Sequence, residues 1–171
     1  SWGNNNVMTV GSTAYVGDSP RTRHVTDDIR SNSQNNNDLT FEQDRVMNYS
    51  AVFIENLFSF GKLSVVPTVR FERVNYDLEE LVKNAGLNRD AINIDRSFNE
   101  TLFGLGLSYQ VSDKSELYAN VSESYRPQRF DDLINPASEL TGDNGPGVSR
   151  AVNYELGYRS QPIDNLVFDV S

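Results

Sequence analysis

Apolar and polar side chains alternate with a period of two residues along much of this sequence. In residues 101–111 the odd positions are apolar except for Thr101, and the even positions are small or polar except for Leu102. Because successive side chains of a β-strand point to opposite faces, this pattern predicts a strand with one apolar face. The same alternation, less regular at both ends of the chain, predicts further strands, about seven in all, in residues 8–16, 47–57, 63–72, 117–122, 152–159 and 166–170. In the second of these, the predicted apolar face consists of Met47, Tyr49, Ala51, Phe53 and Leu57.

The connections between these strands alternate strictly between short and long. The short ones, residues 59–62, 112–114 and 161–165, contain turn-forming pairs such as Phe60-Gly61 and Ser112-Asp113. The long polar ones are residues 17–45, 77–98 and 126–150. Since antiparallel strands reverse at every connection, we expect all short turns at one end of the sheet and all long loops at the other.

One short helix is predicted inside the second long connection. Asp77 is a suitable N-cap with Glu80 three residues later, and Gly86 is a suitable C-terminal stop. Leu78, Leu81 and Val82 would form its small apolar face.

Composition excludes several classes of protein. With 24 acidic and 15 basic residues the net charge is −9, which argues against nucleic acid as a partner. The absence of cysteine excludes disulfides, cysteine zinc sites and thiol nucleophiles, and a single histidine, His24, argues against His-rich metal centres and triads. No apolar run reaches the roughly 18 residues of a membrane-spanning helix. Because the chain starts at Ser1 in polar sequence and stops within a predicted strand, we expect it to be part of a longer protein.

Two all-β architectures fit the alternation: a soluble antiparallel sandwich or barrel, and a transmembrane β-barrel. A tilted strand of about 10 residues spans about 23 Å, close to the apolar band of an outer-membrane barrel. The asymmetry of turns and loops is typical of such barrels, and the polar faces carry Arg70, Glu72, Glu100, Glu155 and Arg159, which a dry core would not accept. The sequence therefore favours an antiparallel up-and-down transmembrane barrel with short periplasmic turns and long extracellular loops.

Three segments of the chain resemble a known family. Residues 117–127 contain the strings LYAN, SE and YRP, and residues 153–158 read NYELGY after the intervening loop. These strings, together with residues 63–72, resemble the barrel of TonB-dependent outer-membrane receptors, and the resemblance is good over residues 49–171.

The resemblance implies a 22-stranded barrel of which residues 1–171 are a partial domain without plug. It further implies import of a ferric chelate, such as a siderophore or ferric citrate, with energy passed on by the TonB complex through the missing plug. The bacterial outer membrane and its lipid would surround the barrel. A passive porin-like channel and a soluble secreted β-barrel binding module remain as alternatives.

Arginines and one tyrosine in the predicted loops are the candidate ligand-binding residues. Anionic chelates need fixed positive donors, which arginine supplies in a planar fork. The candidates are Tyr125, Arg126, Arg129, Arg89 and Arg96, with Arg150 as a further loop arginine. Asp131 and Asp132 follow directly and are the alternative partners of Arg126 and Arg129.

No catalytic residue, cofactor or metal site is predicted. The acidic pairs Asp27–Asp28, Glu79–Glu80 and Asp131–Asp132 have no defensible ligand spacing, and His24 reads as a solvated loop residue. The glycine-rich segment 142–147 lacks the further oxygen ligands of a calcium loop and the helix of a phosphate site.

Overall fold

A computed structural model describes residue 3 and residues 6–26, 38–133 and 148–171, which form one antiparallel sheet. Its strands are β1 (Val7–Asp18), β2 (Arg21–His24), β3 (Leu39–Phe60), β4 (Leu63–Val82), β5 (Asn93–Ser112), β6 (Ser115–Arg126), β7 (Ser149–Ile163) and β8 (Leu166–Val170). One short helix, α1 (Phe130–Leu133), follows β6. The order in the sheet is β1-β3-β4-β5-β6-β7-β8, with β2 also on β3. The predicted all-β, up-and-down architecture is confirmed.

The eighth strand arises because one edge position is shared by two strands. β1 pairs with residues 46–57 of β3, and β2 continues along the same side of β3 over residues 39–43. Ser19 and Pro20 separate them, and the Ser19 backbone N–H donates to the Arg45 carbonyl at 2.8 Å. Since proline has no N–H to donate, the ladder is interrupted at Pro20. The first predicted long connection is correspondingly shorter.

The three predicted short turns each shrink to two residues at the tips of hairpins, namely 61–62, 113–114 and 164–165. Gly61 has a φ of 63°, which only glycine adopts without steric cost in such a turn. The strand ends that flank the connections 25–38, 83–92 and 127–148 lie at the opposite end of the sheet. We refer to the two ends as the turn end and the loop end.

The predicted helix between Asp77 and Gly86 is wrong. Residues 77–82 continue β4, where Asp77 pairs with both Val46 and Asp95. Leu78 and Glu80 are buried while Asp77 and Glu79 are exposed, which is the two-residue period of a strand. Two neighbouring strands supply the hydrogen bonds of the ladder here, and this tertiary pairing overrides the local capping signal.

The two faces of the sheet change in polarity part way along the strands. We call the face covered by residues 127–133 the inner face and the opposite one the outer face. Toward the loop end the outer face turns from apolar to polar, and the inner face turns from polar to apolar. On β4 the outer positions are apolar from Leu63 to Phe71 and then polar from Arg73 to Glu79. On β5 the outer positions Asn99, Ser97, Asp95 and Asn93 lie opposite these polar residues. The outer apolar band therefore ends at the same level on both strands.

The height of this band fits a bilayer. Residues 63–71 of β4 rise about 30 Å, which a tilt near 45° reduces to about 21 Å, close to the apolar band of about 25 Å in outer-membrane barrels. As expected, Phe103, Leu105 and Leu107 lie on the outer face, opposite to Val69, Pro67 and Val65. Gly104 and Gly106 lie on the inner face.

Beyond the band, the inner face becomes apolar and forms the core. Val74, Tyr76, Leu78, Ile94 and Leu133 are buried in one cluster. The predicted apolar residues of β3 do share a face, but it is this inner one. Met47 lies opposite Tyr76, Tyr49 opposite Val74, Ala51 opposite Glu72 and Phe53 opposite Arg70. The outer apolar positions of β3 are Val52, Ile54, Phe58 and Phe60 instead. Alternation alone cannot tell which face meets the core when the faces exchange.

Candidate ligand-binding site on the inner face

Residues 127–133, here called the inner segment, fold back across the inner face at the loop end. The Tyr76 hydroxyl donates a hydrogen bond to the Gln128 carbonyl at 2.6 Å. The Phe130 ring meets the Tyr76 ring edge-on with centroids 5.3 Å apart, and Leu133 is buried in the core cluster. These contacts bring part of a predicted extracellular loop into the concave side of the sheet.

β6 loses its partner β5 before its own end, while its pairing with β7 continues to Arg126. The last paired residues of β5 and β6 are Gly104 and Ser122. The next backbone donor on β5, the Phe103 N–H, is bound instead by the Glu123 carboxylate at 3.0 Å. A side chain thus accepts the hydrogen bond that a backbone carbonyl would accept if the ladder continued. Pro127, directly after β6, has no N–H that could donate to a neighbouring strand.

A cavity of about 560 Å³ lies on the inner face beside the start of this segment. Its walls include three tyrosines, Tyr15, Tyr49 and Tyr125, together with Arg70 and Glu72. The rings of Tyr15 and Tyr49 stack with centroids 4.9 Å apart. A volume of this size falls in the range of small-molecule sites, and tyrosines offer both a flat apolar surface and a polar hydroxyl.

The polar groups of the cavity form one hydrogen-bonded group from three strands. The Arg70 guanidinium pairs with the Glu72 carboxylate and donates to the Tyr49 hydroxyl at 2.8 Å. The Tyr125 hydroxyl donates to the same carboxylate at 2.8 Å. The Tyr125 phenol is therefore a hydrogen-bond donor in this group, and Arg70 is already neutralised by Glu72.

The predicted candidates Tyr125, Arg126 and Arg129 lie together where β6 enters the inner segment. Tyr125 lines the cavity, and Arg126 is the exposed last residue of β6. Arg129 pairs with Asp132 at 3.3 Å, and its backbone N–H donates to the same carboxylate at 3.0 Å. These hydrogen bonds lower the pKa of Asp132. Asp132, which the sequence offered as an alternative partner for Arg129, is therefore its partner in the structure.

The structure does not bring Arg89 and Arg96 to the cavity. Arg89 makes a two-pronged ion pair with Glu80 at 2.5 and 3.0 Å, and their side chains are only 8% and 0% exposed. Arg96 lies within β5, opposite Tyr76. Arg150, in β7, pairs with the Glu100 carboxylate.

Sequence reasoning missed several residues of this region. Tyr15, Tyr49, Arg70 and Glu72 lie inside predicted strands, whereas the search concentrated on loops. The polar face of residues 63–72 was a usable signal. Arg70 and Glu72 are charged, so the strand face that carries them must turn away from lipid. Arg21 and Arg45, which both contact the Asp131 carboxylate of the inner segment, lay in a predicted loop and had no distinguishing pattern.

Among the described residues, no group of three or more His, Asp or Glu side chains could hold a metal ion. No helix within the described ranges is long and apolar enough to cross a membrane. The pair Asp27–Asp28 and the segment 142–147 lie outside the described residues.

Long antiparallel strands, two-residue turns at one end and a polar cavity on the inner face are typical of part of the wall of a large β-barrel. The family of TonB dependent receptor-like β-barrels matches residues 1–171, and the chain belongs to this family. No curated protein matches the chain.

Two solved structures of the ferric-catecholate import receptor Fiu from E. coli K12 have a similar fold. The closed form aligns with a TM-score of 0.61 at 12% identity, covering 96% of this chain and 27% of that one. The open form aligns with a TM-score of 0.55 at 11% identity, covering 96% of this chain and 26% of that one. The chain thus spans about a quarter of the length of that receptor, and these low identities establish likeness of fold alone.

Proposed function

We propose that this chain is a partial barrel domain of an outer-membrane receptor that binds a ferric chelate and imports it with TonB-coupled energy. The observation that supports this most directly is the cavity lined by Tyr15, Tyr49 and Tyr125 at the loop end. Flat aromatic walls with hydroxyl groups suit a chelate that carries aromatic or carboxylate arms. Family membership favours a receptor over a passive channel or a soluble module.

In this proposal the turn end faces the periplasm and the loop end faces the medium. The outer apolar band contacts outer-membrane lipid, and the TonB complex acts through a plug domain of the whole receptor. A chelate would first meet Arg126 and Arg129 at the mouth and then the tyrosine-lined cavity below. Local positive charge at the mouth would assist capture, because the chain as a whole carries −9.

The test uses the full-length receptor in detergent, with ferric citrate and the ferric complex of 2,3-dihydroxybenzoate as probes. Tyr15→Ala removes one wall of the cavity and should weaken binding roughly threefold to tenfold, the range expected for a lost ring stack. Val16→Ala is the matched control, because Val16 is the next residue on β1 and lies on the outer face. Wild-type receptor that binds neither probe would reject the proposed function, and equal affinity in both folded variants would reject this cavity.

The same measurement tests the proposed capture residues. Arg126→Ala should weaken binding severalfold at low salt, with a smaller effect at high salt. Arg129→Ala should do less, because Asp132 already neutralises that guanidinium. Unchanged binding in the double variant would leave both arginines outside the ligand path.

A further inference from the structure

Two arginines on the inner face share a single carboxylate. The Arg21 guanidinium lies 2.7 Å from the Asp131 carboxylate, and the Arg45 guanidinium lies 3.0 Å from the same oxygen. Neither arginine has another acidic partner among the described residues. Among the described residues the two arginines therefore share one negative charge, whereas Arg129 and Asp132 form a pair of one cation and one carboxylate.

The arginine side of this contact is held in place independently of Asp131. Arg45 is only 7% exposed, and its Nε and Nη2 donate to the Gln43 side-chain oxygen at 3.1 and 2.6 Å. Arg21 lies directly opposite Gln43 in the β2–β3 ladder, and its guanidinium stacks over the Phe41 ring at 5.3 Å. Gln43 thus holds the buried Arg45 guanidinium, and strand pairing and the Phe41 ring position the half-exposed Arg21 side chain, which lowers the cost of binding an anion.

A buried donor in the same group lacks an acceptor. The side-chain nitrogen of Gln43 is buried and has no hydrogen-bond partner in the part of the chain that the structure describes. An unsatisfied buried polar group costs about 1–3 kcal/mol. A further oxygen acceptor within reach of this nitrogen would satisfy it, and Asp131 contacts the group through Oδ1 alone.

The acidic side of the contact belongs to the inner segment. Asp131 lies in α1, between Phe130 and Leu133, whose side chains pack on Tyr76 and in the core cluster. The segment begins at Pro127, which lines the tyrosine cavity. Asp131 therefore couples the occupancy of the arginine pair to the position of a segment that borders the cavity.

We propose that Arg21, Gln43 and Arg45 form a carboxylate-binding site that Asp131 occupies as an internal stand-in, and that a carboxylate arm of the chelate displaces Asp131 and releases the inner segment. This inference rests on the proposed function and narrows its ligand to chelates with free carboxylates. Asp131 offers the same oxygen, Oδ1, to both arginines, whereas a chelate arm that is not tied to the inner segment can present one oxygen to each guanidinium.

Hydrogen exchange of the inner segment in the full-length receptor tests the displacement directly. Iron-free citrate at millimolar concentration should raise the exchange of residues 127–133 in the wild type. Asp131→Asn should raise it without citrate. Asp132→Asn is the matched control, because it removes an adjacent carboxylate that binds Arg129 and not the arginine pair. The proposal is overturned if citrate has no effect and Asp131→Asn exchanges no faster than Asp132→Asn.

Binding of ferric citrate to the same variants gives the second readout. Asp131→Asn should bind roughly threefold to tenfold more tightly than Asp132→Asn, since removing the stand-in raises the fraction of open sites. Adding Arg21→Gln to Asp131→Asn should abolish the gain, and Arg21 is exposed enough for this change to leave the core intact. Faster exchange with citrate in a receptor that binds no ferric chelate would support this site and reject the proposed function. Equal ferric citrate affinity in all variants would reject the site and leave the proposed function standing.

Discussion

The hydrogen-bonded group of Tyr49, Arg70, Glu72 and Tyr125 is assembled from β3, β4 and β6. Glu72 is only 10% exposed on its side chain and accepts from both Arg70 and Tyr125. A carboxylate at such a position needs these donors, because an unpaired buried charge is costly. The polar inner face of residues 63–72 was predictable from alternation. The partner Tyr125 was not, because its contact depends on where β6 leaves the sheet.

Burial of Arg89 changes the role that its position in a loop would predict. Sequence alone makes it a candidate for binding an anion, since it lies among polar residues between two strands. In the structure, Glu80 and Arg89 are both buried, and the Glu80 carboxylate also accepts from the Ile92 N–H at 3.2 Å. Arg89 therefore ties the 83–92 connection to the end of β4. No local pattern could reveal this, because the helix predicted there would have placed Glu80 differently.

Replacing Arg89 should destabilise the barrel far more than replacing Arg126. Arg89→Ala leaves the Glu80 carboxylate buried without its main partner, which typically costs about 3–5 kcal/mol. Arg126→Ala removes an exposed side chain and should stay within about 0.5 kcal/mol. Thermal unfolding of the full-length receptor in detergent measures both. The double variant Arg89→Ala with Glu80→Ala should recover part of the loss, and a simple sum of the single effects would contradict the assigned ion pair.

The exchange of apolar and polar faces explains which elements were predictable. Near the turn end, one face is apolar and the other is small or polar, so alternation predicted β4 to β6 correctly. Near the loop end, both faces of β4 still alternate, but Asp77, Glu79 and Leu81 point outward while Leu78 and Glu80 point inward. The sequence of these residues also fits the start of a helix. Only the pairing with β3 and β5 decides in favour of a strand. Because the inner face is the apolar one near the loop end, the apolar residues Met47 and Tyr49 of β3 lie on the inner face.

An arginine on the outer face should be costly inside the apolar band and harmless above it. Leu105→Arg places a charge where lipid is expected and should destabilise the barrel by about 2–4 kcal/mol if the site is near the midplane. Asp77→Arg is the matched control on the same face beyond the band. It lies directly opposite Asp95, so the new charge relieves a repulsion between like charges. Denaturant unfolding of the receptor reconstituted in lipid bilayers compares the two.

The outcome of that comparison decides the position of the membrane on the sheet. If Asp77→Arg costs as much as Leu105→Arg, the apolar band extends further toward the loop end than the outer residues indicate. Gly106→Arg adds a second reference, because Gly106 lies on the inner face beside Val66 and should cost less than Leu105→Arg where the interior has room. Equal costs at positions 105 and 106 would contradict the assignment of faces.

The whole sheet is held by its ladder more than by a core. The described core cluster contains five buried residues, all at the loop end, while large apolar side chains such as Tyr154, Leu156 and Phe103 are exposed on the outer face. In water this surface would be a strong liability. A sheet of this kind is stable where lipid covers the outer face and other strands pair with both edges.

Residues 1–171 alone should therefore fail to form a stable monomer. In the described sheet β1 pairs only with β3, and β8 pairs only with β7. Each edge presents unpaired backbone N–H and C=O groups that lipid cannot satisfy, and exposed edges favour aggregation. Refolded into detergent micelles beside the full-length receptor, the isolated chain should elute as aggregates and be digested by protease, whereas the receptor should resist. A monomeric, protease-resistant form of the isolated chain would contradict this, and would mean that eight strands can close on themselves without the rest of the barrel.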